Sequence, residues 1–265
     1  MIDSHCHLDS PAFDADRDEV LARAAAHGVT GFVVPAMSPT TWPKAIALAT
    51  QYHSAGWRMA LGCHPYIVPT FDAETRRGLT EQALAAGVAQ AQAQHPDLLV
   101  AIGECGLDNR VAEPAEQARV FRLQLRVARS FGLPVILHIL RAHDAALQIL
   151  REERVTDVGG VLHSYSGSIE LLASYAKLGL AFGFAASVCH PEAKRPRAVA
   201  AQVPADLLLL ETDAPDQPAR ELHGKRNEPM HLPRTAAAVA ELRGLEVCEL
   251  QATTRANALR IFARW

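Results

Sequence analysis

The chain has 265 residues, a formal net charge of −3 and twelve histidines. Hydrophobic residues at 49% and charged residues at 21% exclude wholesale disorder, collagen-like and coiled-coil architectures, and no run of about 18 apolar residues offers a membrane helix. The slightly acidic balance excludes a protein that coats nucleic acid through bulk charge, but not an enzyme that holds a few phosphates locally.

Met1–Ser4 reads as the first strand and runs into His5 and His7. Side chains alternate along a strand, so these two imidazoles face one point while Cys6 faces elsewhere. A helix over Asp16–His27 stops at Gly28. Strand two is Gly31–Pro35, followed by a helix over Pro43–Ala55 that ends at Gly56. Strand three, Arg58–Gly62, runs into His64, and a helix spans Thr80–His95. Strand four, Leu98–Gly103, ends at Glu104. The helix Glu116–Phe131 carries Val120, Leu123, Val127 and Phe131 at helical spacing, then Gly132. Strand five, Pro134–His138, precedes a helix over Ala142–Glu153. Strand six is Gly160–His163, with a helix over Ile169–Leu178. Strand seven is Leu180–Phe184, and strand eight, Leu207–Glu211, is followed by Asp213. Helices over Pro233–Leu242 and Cys248–Phe262 finish the chain, the last with a break near Thr253–Thr254.

Several strands (VVP, LLVAIG, PVILH, LLLLET) are nearly continuous hydrophobic runs, as in a parallel sheet covered on both faces. Eight strands alternating with helices in this length predict an α/β fold, a (β/α)8 TIM barrel, with residues 1–265 as one domain. An open doubly wound sheet is the rival arrangement.

In barrels of this kind the chemistry sits at the C-terminal ends of the strands. His5, His7, His64, Glu104, His138, His163 and Asp213 all fall there. Imidazoles with carboxylates suit divalent ions such as Zn, Mn, Mg or Ni. Six candidate ligands (His5, His7, Glu104, His138, His163 and Asp213) exceed what one tetrahedral ion needs. They suit two ions, which lower the pKa of a shared water and clamp the attacking and leaving oxygens of a phosphoryl displacement.

The segments DSHCHLD, GCHP, GECGLD, LPVILH, LHSYSGS, LLLLETDAP, GKRNEP and TTRANALRIF follow one another along the whole chain. In them the sequence resembles the TatD-related metal-dependent hydrolases and DNases. The resemblance implies a TIM barrel with a binuclear site and activity on single-stranded ends. It implies one ion held by His5, His7, Glu104 and Asp213, and a second by Glu104, His138 and His163, with Glu104 bridging. Asp213 would act as base, His64 would face the substrate phosphate, and Asp108 would accept a hydrogen bond from a ligating imidazole. The family commonly has His-x-Arg after strand five; here the run is His138-Ile139-Leu140-Arg141, with His143 beyond, and Arg141 and His143 are the further substrate contacts expected.

The resulting expectation is a hydrolase with Asp213, Glu104 and His64 as catalytic residues and single-stranded nucleic acid ends or a small phosphodiester as partner. No membrane and no obligate protein partner is expected. Two alternatives stand beside it. The same site could cleave a C–N or carboxylic ester bond, as in an amidohydrolase or an aminoacyl-tRNA deacylase, or the protein could be a metal-binding scaffold without turnover. Lys194, Arg195, Arg197, Lys225 and Arg226 read first as solvated loops, the usual meaning of such charge runs, and also form a candidate basic rim. Aromatic interleaving is sparse (Tyr66, Tyr165 and Phe184), which favours a pocket for a terminal nucleotide over a long stacking groove. Five scattered cysteines suggest no disulfide framework, and the start MIDSHCHLDSP lacks a basic leader with an apolar run, so a cytoplasmic setting is expected.

Overall fold

The structure, a computed structural model, describes residues 1–263. In chain order the strands are β1 (Ile2–Asp3), β2 (Gly31–Ala36), β3 (Trp57–Leu61), β4 (Leu99–Asp108), β5 (Val135–Leu140), β6 (Gly160–Leu162), β7 (Leu180–Phe184) and β8 (Leu208–Leu210). The helices are α1 (Arg17–Ala26), α2 (Trp42–Gln51), α3 (Ala73–Gly78), α4 (Glu81–Gln94), α5 (Pro114–Phe131), α6 (His143–Glu152), α7 (Ile169–Ala176), α8 (Lys194–Gln202), α9 (Leu232–Arg243) and α10 (Val247–Ile261). All neighbouring strands pair in parallel in the order β1 to β8. The seam between β8 and β1 is drawn together by Ser4 N donating to Leu210 O at 3.1 Å and Asp213 N to His5 O at 2.9 Å. The architecture is the expected (β/α)8 barrel, not the open sheet. No helix among the described residues is long and apolar enough to cross a membrane.

Strand alternation builds the inside. Ile2, Val33, Ala60, Val100, Ala101, Ile136, Val161, Ala181 and Leu209 meet in one cluster, which Ala258 and Phe262 from the end of α10 complete. Asn257 of α10 fastens that end by donating to Ala205 O at 2.7 Å and Leu208 O at 2.9 Å. Two residues past several of these apolar positions the side chain is polar: Ile136 leads to His138, Val161 to His163, and Leu209 to Glu211 and then Asp213. The apolar layer therefore closes one end of the barrel, and the same strand faces deliver the polar groups to the other.

Four local expectations are corrected. Strand β4 runs on to Asp108 because, after a register shift between Ile102 and Cys105, it keeps pairing with β5 as far as Asp108 opposite Leu140. Helix α10 has no break at Thr253–Thr254; Thr254 Oγ1 donates to Leu250 O at 3.0 Å, so the hydroxyl is satisfied inside the helix. The basic stretch after β7 is helix α8 rather than loop, with Pro196 in its first turn, where a missing N–H costs nothing. Helix α3 was not anticipated; Asp72 caps it by accepting from Thr75 N at 2.8 Å.

Helix α5 fixes the strand ends that matter most. Gln124 grips both backbone groups of Cys63, accepting from its N at 2.6 Å and donating to its O at 3.0 Å, and Gln117 Oε1 accepts from Asp108 N at 2.9 Å. Cys63, next to His64, and Asp108, four residues beyond Glu104 on β4, are thereby held by one helix.

Candidate metal centre

Glu104 lies at the middle of the C-terminal face, almost fully buried. Its Oε2 is 3.2 Å from His5 Nε2 and 3.5 Å from His7 Nε2. Its Oε1 is 3.0 Å from His138 Nδ1, 2.7 Å from His163 Nε2 and 3.1 Å from His64 Nε2. Asp213 Oδ1 stands 3.5 Å from His5 Nε2 and 3.6 Å from His7 Nε2. The two nitrogens of the His-x-His pair are themselves 3.3 Å apart, and His138 Nδ1 and His163 Nε2 are 3.1 Å apart. All six residues expected to hold metal, and His64, thus converge around one carboxylate. Three overlapping groups place ligand atoms within 4.8 Å of one another: His5, Glu104 and His163; His5, His7 and Asp213; His64, Glu104 and His138.

Burial alone would raise the Glu104 carboxyl, but His163, His64 and His5 outweigh it and hold the group well below the usual carboxylate range. Burial, assisted by His163, pulls His5 down to about 4, and burial also lowers His64. Against burial, Glu104 raises His163 to about 10, and Asp108 and Glu104 raise His138, so a divalent cation would bind this ionised carboxylate and its imidazoles by displacing those protons. Glu104 Oε2 and the Nδ1 atoms of His5, His7 and His163 are buried without a hydrogen-bond partner among the described residues. A cation beside His5 Nε2 and His7 Nε2 would take up the unsatisfied carboxylate oxygen, so the residues present fit the metal that this pattern calls for.

A second layer orients the first. Asp108 Oδ2 lies 3.1 Å from His138 Nε2, leaving Nδ1 to face Glu104. Burial opposes ionisation of Asp108, but its contacts to His138 and Arg110 hold the carboxyl well below its ordinary range. Asp3 accepts from Thr212 N at 2.9 Å and from Thr212 Oγ1 at 2.5 Å beneath His5. Glu211 accepts from Ser164 N and lies 3.7 Å from His163 Nδ1. Burial lifts Asp3 to about 7 and Glu211 to about 8. Gly183 makes room for Glu211, since a Cβ there would sit 2.2 Å from Oε2. Replacement of Asp108 by Asn should weaken divalent metal binding about 10- to 100-fold, the usual cost of losing an acceptor behind a ligating histidine. A fluorescence or calorimetric metal titration checks this, and unchanged affinity would remove Asp108 from the second layer.

A cavity of about 670 Å³ opens over this cluster. His7, His64, Glu104, His138, His163 and Asp213 line it together with Met37, Tyr66, Arg110, Leu140, Ser164, Asp216 and Gln217. Arg141 and His143 are not in its wall. Arg141 is exposed, in a left-handed conformation with φ 54°. His143 opens α6 and turns into the helical layer, with Nδ1 2.9 Å from the Tyr175 hydroxyl. The basic residues also lie off the wall. Arg226 is engaged by Asp16 and Glu228 at 2.7 Å each, and Arg197 donates to Val188 O at 2.8 Å. Lys194, Arg195 and Lys225 are exposed. The sulfurs stay out of the site: Cys6 Sγ lies toward Val33 O, and burial pushes Cys6, Cys63 and Cys105 upward, Cys63 to about 12.

The sequence reading passed over Asp3, Glu211, Arg110 and Gln217. Two of them carried a signal, because Asp3 precedes His5 and Glu211 precedes Asp213 by two residues, the same spacing that paired His5 with His7. Arg110 and Gln217 are placed by loops, and nothing in their spacing marks them.

The chain matches the model of the TatD related DNase family over residues 2–263. It is 40% identical to a 3'-5' ssDNA/RNA exonuclease TatD of Cronobacter sakazakii, covering all of this chain and 98% of that one. It is 34% identical to a metal-dependent hydrolase, YjjV, of Escherichia coli K12, covering 99% of this chain and 97% of that one. The crystal structure of the latter superposes with a TM-score of 0.89 at 33% identity, over 99% of this chain and 98% of that one.

Proposed function

The chain belongs to the TatD-related DNase family of metal-dependent hydrolases, and we propose that it hydrolyses phosphodiester bonds at the ends of single-stranded DNA or RNA, with two divalent ions held on opposite sides of Glu104. The observation that carries the two-ion reading is the division of ligand atoms between the carboxylate oxygens. His5 and His7 face Oε2, while His138 and His163 face Oε1. With spacings of 3.2 to 3.6 Å among their ligand atoms, Glu104, His5, His7 and Asp213 would together hold the first ion, and His138 and His163 with Glu104 would hold the second. Zn, Mn, Mg and Ni are all compatible with this donor set.

When bound, the ions supply Lewis-acid activation of water and of the ester. The residues supply the rest. Asp213, whose Oδ2 accepts from Gln217 Nε2 at 2.5 Å, is held where it can take a proton from the attacking water. His64 Nδ1 accepts from Tyr66 N at 2.9 Å, so its proton resides on Nε2, which lies 3.1 Å from Glu104 Oε1; with Glu104 engaged by metal, that N–H would serve as a donor to a phosphate oxygen. This sets His64 apart from the ligand histidines despite its place beside Glu104. The cavity suits a strand end rather than a duplex, and the exonuclease name of the Cronobacter relative supports the same substrate. Residues 1–265 are read as one working domain, and five unpaired cysteines fit the reducing cytoplasm.

Protein stripped by a chelator should lose cleavage of an end-labelled single-stranded oligonucleotide and regain it with Mn2+ or Zn2+, shortening the strand by single nucleotides. Reloaded protein that leaves oligonucleotides intact but cleaves an amide or an aminoacyl ester would move the substrate out of the phosphodiester class.

A further inference from the structure

Tyr66 is the most exposed large hydrophobic side chain among the described residues, at 56%, and it stands in the wall of the catalytic cavity. A bare aromatic ring gains nothing for the fold in that position. Its backbone is not loose. Tyr66 N donates to His64 Nδ1, which ties the ring's residue to a side chain that itself touches Glu104. The two ring centroids are 6.5 Å apart and tilted by 58°, so Tyr66 sits one ring outward from the ligand cluster without packing flat on His64. Its face is left for another planar group.

Arg110 stands in the same wall and is the only Arg or Lys side chain among the cavity-lining residues. Asp108 fixes it through two bonds, Nε to Oδ1 at 3.2 Å and Nη2 to Oδ2 at 2.9 Å, and a third from Arg110 N to Oδ1 at 2.8 Å. Nη1 lies outside that pairing. The Asp108 bonds, with a smaller contribution from Tyr66, hold the guanidinium firmly charged. Asp108 also contacts His138, so the cation is positioned by the same carboxylate that orients a metal ligand. A fixed cation and an exposed ring thus stand in the wall of one cavity.

We propose that Tyr66 and Arg110 form a nucleotide subsite, in which the base next to the scissile bond stacks on Tyr66 and its phosphate is held by Arg110. This rests on the phosphodiesterase reading and narrows it. The site would recognise a nucleoside phosphate as a unit, stacking without sequence preference and gripping charge with a planar fork. A purely anionic or aliphatic ester would use only the cation. Stacking on one ring also suits a strand end better than a paired base, whose faces are already covered.

The test compares metal-loaded wild type, Tyr66→Ala and Tyr66→Phe on a single-stranded oligonucleotide and on methyl 2,2,2-trifluoroethyl phosphate, a small diester with neither a base nor any other ring. The ratio of kcat/KM for the oligonucleotide to that for the small diester should fall about tenfold in Tyr66→Ala and recover in Tyr66→Phe, which keeps the ring. Most of the fall should lie in KM. Anisotropy titration of the metal-free proteins with a labelled oligonucleotide should show the same order of affinity. Wild type that cleaves the oligonucleotide, with an unchanged ratio in Tyr66→Ala, overturns the subsite and leaves the nuclease reading standing. Wild type that cleaves only the small diester overturns both the subsite and the nucleic-acid substrate. Wild type that cleaves neither overturns the phosphodiesterase reading itself.

Discussion

Asp213→Asn should yield a folded protein whose turnover falls about 1,000-fold, the scale that follows loss of one group stabilising charge in a transition state. Two functions vanish in this substitution. Asp213 Oδ1 stands 3.5 and 3.6 Å from the nitrogens of His5 and His7, where an anionic ligand would sit, while Oδ2, which accepts from Gln217, is the proposed proton acceptor. An amide is a poor ligand and no base at all. The fold has little reason to respond. Asp213 has φ 57°, a left-handed conformation that Asn adopts readily, and its backbone N still donates to His5 O. Circular dichroism and thermal melting should match wild type while kcat on a single-stranded oligonucleotide collapses. Near-normal turnover would remove Asp213 from both roles.

Glu104→Gln should be the more damaging change. Both oxygens of Glu104 are used, one toward His5 and His7 and the other toward His138, His163 and His64. Gln has one acceptor, and its NH2 would face imidazole nitrogens that must present lone pairs to a cation. Metal content should fall from two ions per chain to at most one, and turnover should drop by about 1,000-fold or more. The side chain is about the same size and lies in a preformed cluster, so a folded product is expected. Elemental analysis of the purified variant, beside its rate, checks the claim; two ions retained with normal turnover would show that Glu104 does not bridge.

Much of this was legible in the sequence because strand alternation is a strong constraint. Once Val161 and Ile136 point inward, His163 and His138 must do so too, at the end of the barrel where chemistry is expected. The two imidazoles of the His-x-His pair face one point even though β1 ends at Asp3, because the seam bonds Asp213 N to His5 O and His7 N to Ala214 O hold the segment against the residues that follow β8. What could not be read depends on register and loop geometry. The length of β4 was hidden because its irregularity lies in pairing with β5 rather than in composition. The expected substrate cation, Arg141, turns to the exterior, and Arg110 stands in the cavity wall instead. Each follows a strand end by a residue or two, where strand alternation no longer dictates the side-chain direction, and Arg141 itself is left-handed. The basic run at Lys194 failed for a related reason: charge suggested loop, whereas Pro196 in a first turn is a helix start.

The most direct test of the central claim is anomalous diffraction from crystals of catalytically active, Mn- or Zn-loaded protein. Two peaks are expected, one on each side of Glu104 and about 3.5–4 Å apart, the first near His5, His7 and Asp213 and the second near His138 and His163. A single peak in fully active protein, or peaks that leave Glu104 without a bond to both, would contradict the two-ion account.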